Sequence, residues 1–116
     1  MSVHVYKQEF ETLLKKSTSQ VNGENSRVIV LSIPDYGYTP FGLGNQKYIS
    51  AKIDEFNSEN RNIALAYNVS YVDITPLSRR GITEPELVAG DHLHPSANQY
   101  SLWVSQLLPV VIGKLN

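Results

Sequence analysis

Residues 27–34 read Arg27-Val28-Ile29-Val30-Leu31-Ser32-Ile33-Pro34, an almost unbroken apolar, β-branched run stopped by a proline. A half-wet antiparallel strand would alternate apolar with polar residues, whereas a strand of a helix-covered parallel sheet is apolar on both faces. The run over 28–33 therefore predicts a strand buried on both sides, and with it an α/β fold. Parallel neighbours need crossover connections, usually helices, and the flanking sequence supplies them.

Upstream, Val3, Tyr6, Phe10, Leu13 and Leu14 recur at helical spacing, with Lys7, Glu9, Glu11, Lys15 and Lys16 on the other face. This predicts an amphipathic helix ending near Gln20, before the turn-forming Asn22, Gly23, Asn25 and Ser26. Downstream, Asn45 is placed to cap a helix whose inward stripe is Ile49, Ile53, Phe56, Ile63 and Tyr67, with Asn60 its one polar member and Asn68 its close. Residues 70–74 form a second short strand, ended by Thr75 and Pro76. Residues 77–90 read as a loop holding Arg79 and Arg80, a solvated pair facing Glu84 and Glu86, with one helical turn over 84–88. The last helix starts after Pro95, because Ser96 and Gln99 stand in the S-x-x-Q capping relation ahead of an apolar face of Tyr100, Trp103, Leu107, Leu108 and Val111. Pro109 removes a helix hydrogen bond and should kink or end it.

At 116 residues, 41% hydrophobic and 18% charged, the chain has the size and composition of one globular domain. Ten Lys plus Arg against eleven Asp plus Glu give a formal charge of -1, without the basic stripe of a nucleic-acid binder. No stretch approaches the roughly 18 apolar residues of a membrane span. The polar start MSVHVYKQEF has no apolar signal-peptide core, which leaves the compartment unknown and cytoplasmic by default. There is no cysteine, so disulfides, thiolate metal sites and a cysteine nucleophile are excluded.

The reactive side chains concentrate in Asp91, His92, Leu93, His94 and Pro95. As a bland feature this is a helix-entry loop with exposed histidines. As chemistry, a carboxylate three residues before a histidine can bond one imidazole nitrogen, fix its tautomer and leave the other nitrogen to act as a general base. The triad Asp91, His92 and His94 also suits a metal ion, with Asp35 or Asp73 completing it. The loop after the first strand holds Tyr36, Tyr38 and Phe41, and loops at the carboxyl ends of parallel strands are where α/β sheets hold ligands. These aromatics either line an acyl pocket or anchor the loop. Asn68, Val69 and Ser70 match the glycosylation triplet, a short pattern with no secretory signal beside it.

Residues 91–96 (DHLHPS) resemble the closing D-x-x-H-P block of the SGNH hydrolases, the GDSL-like lipases and acylhydrolases. Residues 28–42 (VIVLSIPDYGYTPFG), 71–76 (YVDITP), 78–87 (SRRGITEPEL) and 99–111 (QYSLWVSQLLPVV) are similar to the C-terminal part of such an enzyme. The resemblance implies a flavodoxin-like three-layer α/β/α sandwich, with His94 as the general base, Asp91 as the residue orienting it, and no cofactor. His92 is not implicated. The family cleaves esters through a serine in a G-D-S motif, with a glycine and an asparagine in its oxyanion hole, and none of these blocks occurs here. Ser32 falls in the strand, Ser50, Ser58, Ser101 and Ser105 on helices, and Ser96 serves as a cap.

The resemblance therefore implies that residues 1–116 are a single partial domain with an incomplete parallel sheet. It holds the Asp-His half of a serine ester hydrolase and is inactive alone. A non-catalytic relative acting through self-association and a metal-binding module are the alternatives. Two strands do not make a stable sheet, so the outer edge of the 28–33 strand, from Val28 to Ile33, should pair with a second copy or a partner chain.

Overall fold

The computed structural model describes residues 1–115. The 28–33 run forms β1, Ile29–Leu31, which pairs in parallel with β2, Ser70–Val72, setting Ile29 opposite Ser70, Val30 opposite Tyr71 and Leu31 opposite Val72. Both strands are shorter than the sequence suggests, although Ser32 N–H still donates to Val72 O at 3.0 Å, and beyond them the Ser32 side chain makes a polar junction. Ser32 Oγ donates to Asp73 and accepts from Ile74 N–H and the Thr75 hydroxyl, which locks the carboxyl ends of the strands together.

The helix α1, Val3–Gln20, precedes the sheet, and α2, Gln46–Ala66, makes the crossover between its strands. They pack together on one face, where Leu14, Val30, Ile63, Ala64 and Val69 form the core with Phe10, Val28 and Tyr71 against them. Leu13, expected on this face, points to solvent, since Leu14 takes the inward position. Residue Asn45 stands at the N-cap of α2 without a side-chain capping bond. Asn68 closes that helix with φ of 57°, the left-handed conformation that asparagine tolerates.

Asn60 is polar yet 1% exposed, and its place on the apolar stripe has a definite cause. Its amide donates to the Tyr6 hydroxyl at 2.9 Å and to Asn57 Oδ1 at 3.1 Å, and its oxygen accepts from the Tyr71 hydroxyl at 2.6 Å. One side chain thus bridges α1, α2 and β2. Burial, with Asp73 nearby, pushes the Tyr71 phenol up to about 12, so it stays a hydrogen-bond donor.

Beyond β2 the chain is less loop-like than its sequence reads. Thr75–Ser78 form a one-turn helix, α3, with Pro76 in its first turn, and Pro85–Leu87 form a single 3-10 turn where a helical turn was expected over 84–88. The last helix, α4, runs from Ala97 to Leu115. It continues through Pro109, which neither ends it nor comes from a buried position. Ile29, opposite in alternation to the inward Val30, shares a shallow groove with Val111 and Leu115 of α4. Helices therefore flank the sheet on both sides, giving the three layers of an α/β/α sandwich.

The expectation of a strand buried on both faces holds only for the α1–α2 side. Val30 is buried, while Ile29 and Leu31 are half-open, because α4 covers its side of the sheet thinly. The apolar face of α4 is itself largely uncovered: Val104 is 57% exposed and Leu108 52%. Among the described residues β1 has no strand on its outer edge.

Candidate active site

The Asp91–His94 loop is built by its own backbone. Val88 and Pro95 form an isolated antiparallel bridge. Ala89 N–H donates to His94 O at 2.8 Å, His92 N–H to Ala89 O at 3.0 Å and Ser96 N–H to Leu87 O at 2.9 Å. Closing so tight a loop puts His92 at φ of 64°, a left-handed conformation uncommon for a bulky residue. Ser96 then ends the loop as a helix cap, accepting from Gln99 N–H at 3.2 Å and donating to Glu86 O at 2.6 Å. The reciprocal half of the capping box is absent, since the Gln99 side chain instead donates to Leu87 O and accepts from Trp103 Nε1.

Asp91 does not cap the helix; it organises the loop. Its Oδ1 accepts from Leu93 N–H at 3.0 Å and from His94 N–H at 2.9 Å, while Oδ2 meets His94 Nδ1 at 2.5 Å. With Nδ1 carrying the proton toward Asp91, Nε2 of a neutral His94 is an uncommitted base. The imidazole stands open to solvent, its side chain 69% exposed. The His94 ring and these backbone donors hold the Asp91 carboxyl down at about 2.

That value has a testable sign. A carboxyl whose pKa is depressed in the fold stabilises it above the ordinary range, and the contribution is lost as pH falls from about 3.8 through about 2. Asp91 should therefore stay ionised through the whole range above pH 4. Carboxyl carbon NMR should place its midpoint near 2; a midpoint at or above 3.8 would mean that the pairing is not made.

The second wall comes from the loop after β1. Asp35 is 1% exposed and bonds Gly37 N–H at 2.8 Å, the Ser50 hydroxyl at 2.5 Å and Arg79 Nε at 3.0 Å. The Arg79 Nη2 also bonds Asp54 at 2.6 Å. Only Arg80 of the arginine pair fits the solvated-loop expectation, bonding Glu84 on the surface. Folded over Asp35, the loop passes so close to itself that a Cβ on Gly42 would lie 2.1 Å from Tyr36 O. Phe41 N–H donates to His92 O at 3.1 Å and joins the two walls.

Between the walls lies a cavity of about 470 Å³. It brings together His94, Tyr36 and Phe41 of the sequence candidates, with Ile33, Val88 and Leu93. Tyr38 is not in its lining; its carbonyl lies instead against the 78–81 turn, 2.6 Å from where a Cβ on Gly81 would stand. Asp73 is occupied in the Ser32 junction. Among the described residues no three His, Asp or Glu side chains converge as a metal-ligand group, and Asp35 is already held by Arg79. The sequence places Gln99 in a capping relation and Arg79 in a solvated pair; in the structure Gln99 lines the cavity and Arg79 holds Asp35. For Asp35 a local signal existed, Asp35-x-Gly37 being the pattern of an Asx turn, but no local signal links it to Arg79, 44 residues away.

Compared with known proteins, residues 2–102 match the family described as the GDSL-like Lipase/Acylhydrolase family. No curated protein and no solved structure matches the chain.

Proposed function

We propose, from the premise that this chain belongs to the GDSL-like lipase/acylhydrolase family, that it supplies the base and the orienting carboxylate of a serine ester hydrolase. The observation that carries this reading is the Asp91 Oδ2 to His94 Nδ1 contact at 2.5 Å, which leaves His94 Nε2 uncommitted at the cavity. In the reaction, Nε2 takes the proton of a serine hydroxyl as its oxygen attacks the ester carbonyl carbon. The imidazolium then protonates the departing alcohol, leaving an acyl-serine. Water repeats the sequence, releasing the carboxylic acid and restoring serine and imidazole. Asp91, ionised throughout, holds the ring in the tautomer that keeps Nε2 basic.

The serine comes from another polypeptide segment. The serines near the cavity are committed elsewhere: Ser78 donates to Thr75 O at 2.6 Å and accepts from Asp35 N–H, Ser50 donates to Asp35, and Ser96 donates to Glu86 O. The unpaired edge of β1 and the exposed face of α4 support association with such a segment or with a second copy. The chain alone is then inactive on p-nitrophenyl esters. Mixing it with a separately expressed segment bearing G-D-S should restore cleavage. Ester cleavage by the chain alone, indifferent to His94→Ala, would overturn the reading. The same exposed surfaces favour the second reading, a relative that acts only by associating; it predicts complexes whose properties do not depend on His94.

A further inference from the structure

Resting on the proposed function, we infer that Asp35 is a positioning residue for the Asp91–His94 dyad, acting through the loop above it and the bond from Phe41 N–H to His92 O. The dyad loop folds on its own bonds, and so does the chain after it. Residues 85–115 are joined among themselves by the Val88 to Pro95 bridge, the Ser96 cap and the Gln99 side chain. Among the described residues a single hydrogen bond links them to residues 1–79, from Phe41 N–H to His92 O at 3.1 Å. Packing gives His94 little help, because the cavity lies in the same seam, with Ile33, Tyr36 and Phe41 on one wall and Val88, Leu93 and His94 on the other. A void supplies no partner atoms.

Phe41 N–H can hold His92 only as firmly as its own loop is held, and Asp35 fixes that loop from below. Its Oδ1 accepts from Gly37 N–H at 2.8 Å within the loop, while Oδ2 accepts from the Ser50 hydroxyl of α2 at 2.5 Å and from Arg79 Nε, just past α3, at 3.0 Å. Gly37 sits so close that a Cβ there would lie 2.9 Å from Oδ1. From the turn at 36–38 the hold passes along the chain: Thr39 Oγ1 donates to Tyr36 O at 2.7 Å and accepts from Gly42 N–H at 3.2 Å, closing the loop on both sides of Phe41. Hydrogen bonds to a carboxylate are stronger than neutral ones, and the Asp35 side chain has no exposure through which water could replace them. The geometry within the dyad and the placement of the dyad are thus separate properties. Residues 91–94 set the first, and Asp35 governs the second.

The test begins on the chain by itself, where no serine has to be supplied. An ester in place of the Phe41 amide, introduced as phenyllactic acid at that position, removes the N–H donor and keeps the side chain. Asp35→Asn sets an NH₂ group where Oδ2 accepts from Ser50 and Arg79. In both variants relaxation dispersion at the Leu93 and His94 amides should show displaced conformers raised on the order of fivefold, the factor for one net hydrogen bond. Val30 and Val72 should not respond, and the Asp91 carboxyl midpoint should stay near 2. Combined, the two changes should do no more than the ester alone, as required of a residue that acts through that bond. If Asp35→Asn loses the native amide spectrum, Ser50→Ala, which removes one partner of Oδ2, takes its place in the comparison. In the completed hydrolase each change should lower kcat by about tenfold or more and leave KM within about twofold, since misplacement by about 1 Å costs on the order of 10²-fold. Additive effects overturn the inference, as does an ester variant whose dyad loop moves no more than the parent's. An Asp91 midpoint raised to 3.8 in the ester variant also overturns it, because the bond would then belong to the dyad's own fold. If no mixture turns over, the parent's included, the hydrolase reading fails while the loop measurements still decide the placement.

Discussion

In the completed hydrolase, His94→Ala should lower kcat on p-nitrophenyl esters by on the order of 10⁶-fold and leave KM nearly unchanged, as expected when the group that moves the proton is removed. Asp91→Asn is the sharper experiment. The amide keeps an oxygen to accept from the Leu93 and His94 N–H groups, so the loop should hold its shape. Its NH₂ group, however, would face His94 Nδ1, where Oδ2 now stands. An amide donor there favours the tautomer with the proton on Nε2, which cannot accept a proton from serine, and the loss should be about 10⁴-fold. Steady-state rates of the two variants, beside matched circular dichroism spectra, check this. A variant Asp91→Asn within tenfold of the parent would remove Asp91 from its orienting role.

The pairing of Asp91 with His94 was legible in the sequence because it is local, while their roles in catalysis rest on the resemblance to the family's closing block. An aspartate, two intervening residues, a histidine, a proline and a helix cap lie within one loop, and short-range geometry alone brings Oδ2 to Nδ1. The apolar run at 28–33 was legible for a similar reason, since composition along one strand reports the faces it expects to bury. Its true extent was not: the Ser32 N–H makes a last bond across the strands to Val72 O, while its side chain is tied to Asp73 and Thr75, more than 40 residues away. Asn60 looked like an interruption of a stripe until Tyr6 and Tyr71 were placed against it. The α4 face carries the converse lesson. Tyr100, Trp103, Leu107, Leu108 and Val111 were expected to face inward, yet Tyr100, Leu108 and Val111 stand exposed, because periodicity says which side of a helix is apolar and nothing about what covers it.

The arginine pair shows the same limit in energetic form and yields the largest expected effect on stability. Arg79 and Arg80 are adjacent, chemically identical and each bonded to a carboxylate. Arg80 meets Glu84 at the surface, where water solvates both groups once they part, so Arg80→Ala should leave the urea midpoint essentially unchanged. Arg79 meets Asp35, whose side chain has no exposure at all. Removing Arg79 leaves that carboxylate with only the Gly37 and Ser50 donors and no compensating charge. Breaking a buried pair from one side costs about 3–5 kcal/mol. Because the Arg79 side chain is itself 30% exposed, some water enters in its place, and about 3 kcal/mol is expected. Asp35→Asn added to Arg79→Ala removes the stranded charge while keeping Oδ1 for Gly37 N–H and turning an amide NH₂ toward the Ser50 hydroxyl oxygen, and should recover about half of the loss. If Arg79→Ala unfolds within 0.2 M urea of the parent, Asp35 does not depend on it. If the double variant is no more stable than Arg79→Ala, the loss comes from packing of the arginine stem and not from the charge beneath it.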